Sequence, residues 1–208
     1  MNLNKKVALV NPPLPVDIGH HPLFPPLGLT YMAAVLDQKG FEVKIIDCPV
    51  NNFDHDRLKN EISKFNPALV GIGSMTPTIE SAFKCAQVTK EATPNSTVVM
   101  GGPHATFADE EVLNKEKAVD IIVRGEGEET ILELAKQPET QEKLCNIKGI
   151  TFRKDTKIIQ TQNRPFIQDL DSLPLPAYKF VSVEKYWVAG RKLLPIITSR
   201  GCPFQCSF

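Results

Sequence analysis

The 208-residue sequence lacks a surplus of charge of either sign: 24 lysines and arginines balance 24 aspartates and glutamates, so no basic field exists to recruit nucleic acid. It also lacks an apolar run long enough to span a bilayer, and Met1 to Lys6 lead straight into a short apolar segment without the h-region of a secretory signal. The cytoplasm is the expected compartment. Phosphate-binding glycine patterns are missing as well. G-x-x-x-x-G-K-[ST] occurs nowhere, and the first strand is followed by prolines where G-x-G-x-x-G requires glycines. Gly125-Glu126-Gly127-Glu128 would set carboxylates beside any phosphate, which is electrostatically unfavourable. Five cysteines, an odd number at irregular spacing, do not form a disulfide framework, and Cys48, Cys85 and Cys145 read as small hydrophobes.

What is present is a regular alternation of apolar strands and amphipathic helices. Short strands are predicted at 7–10, 42–47, 69–73, 97–100 and 120–123. Helices are predicted at 27–39, closed by Gly40, and at 54–65, 78–91, 109–115 and 128–136. Apolar, unalternating strands between amphipathic helices imply a parallel sheet covered on both faces, with right-handed crossovers. The fold class is therefore α/β, a five-stranded doubly wound domain of the Rossmann-like or flavodoxin-like type. Beyond it, residues 144–153 and 158–161 read as a β-hairpin. Residues 169–178 read as an extended, proline-punctuated linker.

Doubly wound sheets bind ligands beyond the carboxyl ends of their strands, so the loops there are where function is written. The first, from Asn11-Pro12-Pro13 to Pro26-Leu27-Gly28, is about fifteen residues of little regular structure, long for such a connection. After the third strand comes Gly73-Ser74-Met75-Thr76-Pro77-Thr78, a group of hydroxyls opening a helix. After the fourth comes Gly101-Gly102-Pro103-His104, whose glycines permit close approach to the backbone. After the fifth comes Arg124-Gly125-Glu126-Gly127-Glu128-Glu129-Thr130.

Near the C-terminus, Leu194 to Phe208 is an apolar strand followed by Ser199-Arg200-Gly201-Cys202 and then Cys206. Cys202 and Cys206 are spaced C-x-x-x-C, and one more cysteine at the next position would complete C-x-x-x-C-x-x-C. Three thiolates on one loop suit three irons of a cubane cluster, with the fourth iron open. Here the sequence resembles the start of the radical S-adenosylmethionine (SAM) barrel, and the polypeptide reads as a fragment that stops before the third ligand. Two cysteines do not hold the cluster, so the fragment itself is expected to be non-catalytic.

The loops, taken in order, resemble the N-terminal cobalamin (B12)-binding domain of radical SAM enzymes. The segments are Val10 to Pro13, Pro25 to Thr30, Gly71 to Thr78, Gly101 to Thr106 and Arg124 to Thr130. The resemblance implies three regions: a cobalamin-binding domain at 1–140, a hairpin and linker at 141–193, and the start of the barrel at 194–208. It implies a corrin lying over the carboxyl edge of the sheet with its nucleotide tail between strands and helices. The implied cofactor-binding residues are Asn11, Pro12, Pro13, Gly28, Leu29, Thr30, Ser74, Met75, Thr76, Thr78, Gly101, Gly102, His104, Gly125, Glu126 and Glu128, with Cys202 and Cys206 as metal ligands. In the intact enzyme, a 4Fe-4S cluster and SAM would accompany cobalamin, for methyl transfer or related radical chemistry of the methyltransferase or cyclase type.

Hydroxyls at Ser74, Thr76 and Thr78 would hydrogen-bond the buried tail, and Gly101 and Gly102 would clear space for it; helix capping is the competing role of the threonines. Methionine synthase and the mutases carry Asp-x-His-x-x-Gly after the first strand, whereas this loop has Asp17, His20 and His21 at other spacings. A base-off cobalamin without a histidine ligand from that motif is expected. His104 would donate near the tail, and Glu126 and Glu128 would shape the corrin edge or the contact with the barrel. Residues 180–208 are expected to be poorly anchored alone, with Phe180, Tyr186 and Trp187 exposed and inviting dimerisation.

Two other classes remain. One is a domain that has lost cobalamin and serves as scaffold or substrate-recognition element. The other is a signalling receiver, which wants paired acids after the first strand and a lysine after the fifth; the chain has Asn11-Pro12-Pro13 and Arg124-Gly125 there.

Overall fold

A computed structural model describes residues 4–15, 23–136, 141–188, 190–202 and 204. Five parallel strands, β1 (Lys6–Asn11), β2 (Glu42–Asp47), β3 (Leu69–Gly73), β4 (Thr97–Gly101) and β5 (Ile121–Val123), lie in the order 2-1-3-4-5. The order reverses between β1 and β3, the switch point at which such sheets open a crevice. Along β1, Val7 and Leu9 enter one core and Ala8 and Val10 the other. A strand buried on both faces cannot alternate apolar with polar, which is why the periodicity of 2 is silent in these runs.

One core is covered by α1 (Leu27–Gln38) and α7 (Glu128–Ala135), the other by α3 (His55–Phe65), α4 (Ile79–Ala92) and α6 (Asp109–Lys115). Asp54 caps α3 by accepting from Arg57 N at 2.8 Å, and Asn66 ends it in the left-handed region at φ 50°. Two short helices at the carboxyl ends of strands, α2 (Cys48–Asn51) and α5 (Pro103–Phe107), were not legible, each being a single turn or little more opened by proline.

The hairpin does not stand apart from the sheet. After α8 (Gln141–Leu144), β6 (Ile150–Lys154) pairs antiparallel with β5, and β7 (Lys157–Gln160) pairs with β6, giving seven strands in all. Residue 144, expected to open the first hairpin strand, instead ends α8. Thr151, Phe152 and Ile150 are buried, so the hairpin covers the β5 edge and leaves less open backbone there.

The segment after β7 is tied to the sheet at several points, and within 180–208, expected to be poorly anchored, Phe180, Tyr186 and Arg200 are held while Leu193, Leu194, Ile196 and Phe204 are exposed. It runs as a strap across α7 and α1: Arg164 pairs with Glu129 and Glu133 at 2.8 Å each, and Lys179 with Asp37 at 2.6 Å. Ala177 N donates to Thr30 O at 3.0 Å. Tyr186 is 1% exposed and its hydroxyl donates to Asp47, while Phe180 packs against the core; of the three aromatics only Trp187 is exposed. A two-residue ribbon, β8 (Trp187–Val188) with β9 (Arg191–Lys192), turns the strap back toward the sheet.

Candidate functional site

The strap returns to a cavity of about 680 Å³ beyond the carboxyl ends of β1, β3, β4 and β5. Its walls are mostly apolar, from Phe24, Leu27, Tyr31 and Met32 on the α1 side to Ile72, Val99 and Val123 from the sheet. A larger cavity of about 870 Å³ lies at the opposite, amino ends of the strands. Several of its polar groups are bonded within the protein: Lys90 pairs with Asp120 at 2.7 Å, Ser96 Oγ donates to Pro67 O at 2.6 Å, and Arg153 donates to the carbonyls of Leu113, Lys117 and Val119. The switch-point cavity is the one with the ligand-site character of apolar walls and a few convergent polar groups.

Of the residues expected to bind cofactor, Asn11, Gly28, Leu29, Ser74, Met75, Thr78, Gly101, Gly102, Gly125, Glu126 and Glu128 come together in this lining. Pro12, Pro13, Thr30, Thr76 and His104 are not among them. Thr30 is fully buried and its hydroxyl donates to Leu27 O at 2.8 Å, a bond inside the helix start. Pro13 O accepts from Ser81 Oγ at 2.7 Å. Thr76 is exposed and its hydroxyl meets His104 Nδ1 at 3.2 Å, outside the cavity. Asp17, His20, His21 and Cys206 lie outside the described residues; Cys202 is described and exposed.

The hydroxyls of Ser74 and Thr78 bond within the protein, and for Thr78 that is the capping role weighed against ligand binding. Ser74, 2% exposed, donates through Oγ to Gly101 O at 2.8 Å and accepts from Ala105 N at 3.2 Å. Thr78 Oγ1 donates to Met75 O and accepts from Met75 N, both at 3.2 Å. Both side chains lock the β3 loop, which leaves them as wall rather than as free donors. Gly102 has a reason of its own to be glycine. At φ 99° an added Cβ would sit 2.5 Å from Ser74 O, so the close approach of the β3 and β4 loops requires glycine there. Gly28 and Gly125, by contrast, have nothing within 4 Å of where a Cβ would be, and both face the cavity.

Sequence reasoning missed Asp47 and Arg200. Asp47, 4% exposed at the end of β2, accepts from Asn11 Nδ2 at 2.8 Å and from the Tyr186 hydroxyl. Burial raises its carboxyl above the ordinary range, opposed by the bonds from Tyr186, Asn11 and the Val50 backbone. A carboxylate directly after the apolar pair Ile45-Ile46, at the carboxyl end of the strand, was the available signal. Arg200 lies in the cysteine motif yet reaches the cavity: Nη1 donates to Glu126 Oε1 at 2.9 Å and Nη2 to Glu128 Oε1 at 2.6 Å, with the guanidinium 5.4 Å from the centroid of the Tyr31 ring. Only its place after the linker hid it, since nothing local says which way the strap turns.

Comparison with known proteins gives the class. The B12 binding domain model matches residues 21–135, and the chain belongs to that family. It is 36% identical over 205 residues to an uncharacterized methyltransferase of Pyrococcus horikoshii, covering 98% of this chain and 44% of the relative. It is 32% identical over 208 residues to an anaerobic magnesium-protoporphyrin IX monomethyl ester cyclase of Synechocystis, covering 98% of this chain and 42% of that protein. The chain thus spans less than half the length of these curated relatives. In fold it resembles the cobalamin-dependent SAM radical enzyme OxsB, with a TM-score of 0.75 at 20% identity over 95% of this chain and 27% of that one. It also resembles the radical SAM methyltransferase TsrM of Kitasatospora setae, with a TM-score of 0.64 at 21% identity over 78% of this chain and 32% of that one. Among the described residues no helix is long and apolar enough to cross a membrane.

Proposed function

We propose that the switch-point cavity takes cobalamin and that the chain is the cobalamin-binding module of a radical SAM enzyme whose relatives include methyltransferases and a cyclase. The carrying observation is the convergence of eleven expected residues on one apolar cavity at the carboxyl edge of the sheet. The residues fit such a group in three respects. Apolar walls suit the methyl-bearing flanks of a corrin. Open space at Gly28 and Gly125 admits a bulky ring against the backbone. Glu128 keeps one buried carboxylate oxygen, Oε2, without a hydrogen-bond partner, matching a ligand rimmed with amide N–H donors.

Bound cobalamin would supply a cobalt centre able to carry a methyl group. The chain's own residues bind and orient it: the α1 side and the sheet exclude water, Ser74 and Thr78 hold the β3 loop rigid, and Asn11, Asp47 and Tyr186 tie the β1 loop to the strap. Cys202 with Cys206 would offer two thiolates toward an iron–sulfur cluster, and SAM would be that cluster's ligand.

The test is titration with hydroxocobalamin, followed by its visible spectrum, on the parent and on Gly28→Leu. Leucine at this position enters open space inside α1, where it favours the helix over glycine. Affinity is expected to fall by about tenfold or more while thermal stability holds or rises. A folded parent that leaves the corrin spectrum unchanged, or a Gly28→Leu chain that binds as the parent does, would remove the reading.

A further inference from the structure

Glu126 and Glu128 differ in how fully they are used. Glu126 spends one oxygen on Arg200 and the other on Ile167 N, which donates to Oε2 at 2.6 Å. Both bonds come from the segment after β7, so each oxygen of Glu126 already has a partner. The side chain of Glu128 is 6% exposed; Oε1 holds Arg200 and Oε2, equally shut off from water, has no hydrogen-bond partner. A buried carboxylate oxygen left unpartnered costs about 1–3 kcal/mol, and this one, unlike the orphaned Arg124 Nε, belongs to a residue that lines the cavity, where a ligand can bring it a donor. The donor must bring N–H or O–H, because an ionised carboxylate only accepts. One guanidinium faces two carboxylates, which leaves the mouth with an excess negative charge that further favours a donor or cation over an anion.

Resting on the cobalamin reading, we propose that Glu128 is shared between cofactor and cysteine loop: Oε2 takes an N–H from an amide on the corrin rim while Oε1 holds Arg200, so that filling the cavity and seating the loop that carries Cys202 are one linked event. Arg200 is then a positioning residue. It stands two residues ahead of Cys202 and bridges two carboxylates at the rim, so a rotation of the Glu128 carboxylate toward or away from the cavity moves the anchor of the loop. Linkage makes the effect reciprocal: whatever binding free energy cobalamin gains from a seated loop, the loop gains from bound cobalamin.

The experiment uses cyanocobalamin as probe on the chain carrying Cys145→Ser and Cys206→Ser, with two readouts: the dissociation constant and the rate at which an uncharged maleimide labels Cys202. Cys48 and Cys85 do not compete, being buried with thiols pushed up, Cys48 to about 12. Cyanocobalamin is expected to slow Cys202 labelling about fivefold, and Arg200→Ala and Glu128→Gln each to weaken binding about fivefold and abolish that protection. The double variant should bind no worse than either single one, and Arg200→Lys should recover part of the protection. If the starting chain binds cyanocobalamin but labels at an unchanged rate, or if Arg200→Ala binds and is protected as before, the linkage is overturned and the cobalamin reading stands. No binding by the starting chain overturns both.

Discussion

Two buried acids, one under the hairpin and one at the cavity, are used in opposite ways. Asp109 is 8% exposed at the start of α6 and its carboxylate is saturated: it accepts from Thr151 Oγ1 at 2.5 Å, from Gln160 Nε2 at 3.0 and 3.2 Å, and from Glu110 N at 3.0 Å, with Arg124 Nε 3.6 Å away. Its side-chain donors come from β6 and β7, with the Arg124 charge beyond β5 close by, so the cluster fastens the antiparallel hairpin to α6 and the parallel sheet. Glu128, 4% exposed at the start of α7, keeps an oxygen idle beside a cavity. Equal burial therefore does not mean equal purpose. A saturated acid closes a structure, and a half-saturated one leaves room for a ligand.

The largest effect expected along this contrast is on the closed side. Asp109→Leu takes the carboxylate from the Arg124 guanidinium and the acceptor from the buried Thr151 hydroxyl, and a buried charge that loses its counter-charge typically costs about 3–5 kcal/mol. Chemical denaturation should show a loss of that order. Cobalamin affinity of the fraction that folds should be unchanged, because no member of the Asp109 cluster lines the cavity except through the backbone that follows Arg124. A variant with near-parent stability would show that the cluster is incidental to holding the hairpin.

A smaller effect is expected at the frame of the cavity. Gly102→Ala must place a Cβ 2.5 Å from Ser74 O at φ 99° and ψ 177°, a backbone region only glycine visits freely. The strain is on the order of 1–3 kcal/mol, and unlike the Asp109 change it displaces the β3 loop that walls the site. Stability and cobalamin affinity should fall together. Affinity surviving the stability loss would mean that the loop's position does not matter to the ligand.

The parallel sheet was legible because its strands other than β2 are apolar runs and its long helices have a one-sided pattern; β2, β3 and α6 begin and end where expected. The eleven lining residues were legible for a different reason, since their loops resemble those of cobalamin-binding domains and the topology of the sheet gathers such loops at one edge. What stayed hidden depends on long-range geometry. Ser74 looks like a free hydroxyl until Gly101 O and Ala105 N are seen to use it. Tyr186 looks like exposed linker until it is found on Asp47, 139 positions earlier. Arg200 belongs to one motif by sequence and to another site in space.

Asp47 lies between the two extremes, an acid on the cavity wall that has partners and is still raised by burial. The sign of its pH dependence follows from that direction. Below the ordinary carboxylate range both folded and unfolded chains carry the proton, and Asp47 contributes nothing. As pH rises through that range, the unfolded chain releases the proton first while the folded chain retains it, so ionisation favours unfolding until the raised folded value is also passed. Urea midpoints for the parent should therefore fall, relative to Asp47→Asn, between pH 3.5 and the raised folded value, by less than the ~1 kcal/mol typical of single substitutions. Adding Tyr186→Phe removes a bond that lowers the Asp47 carboxyl, and should widen the window toward higher pH. A parent that gains on Asp47→Asn over the same range would mean that Asn11 and Tyr186 outweigh burial, placing Asp47 with the saturated Asp109 rather than with the open Glu128.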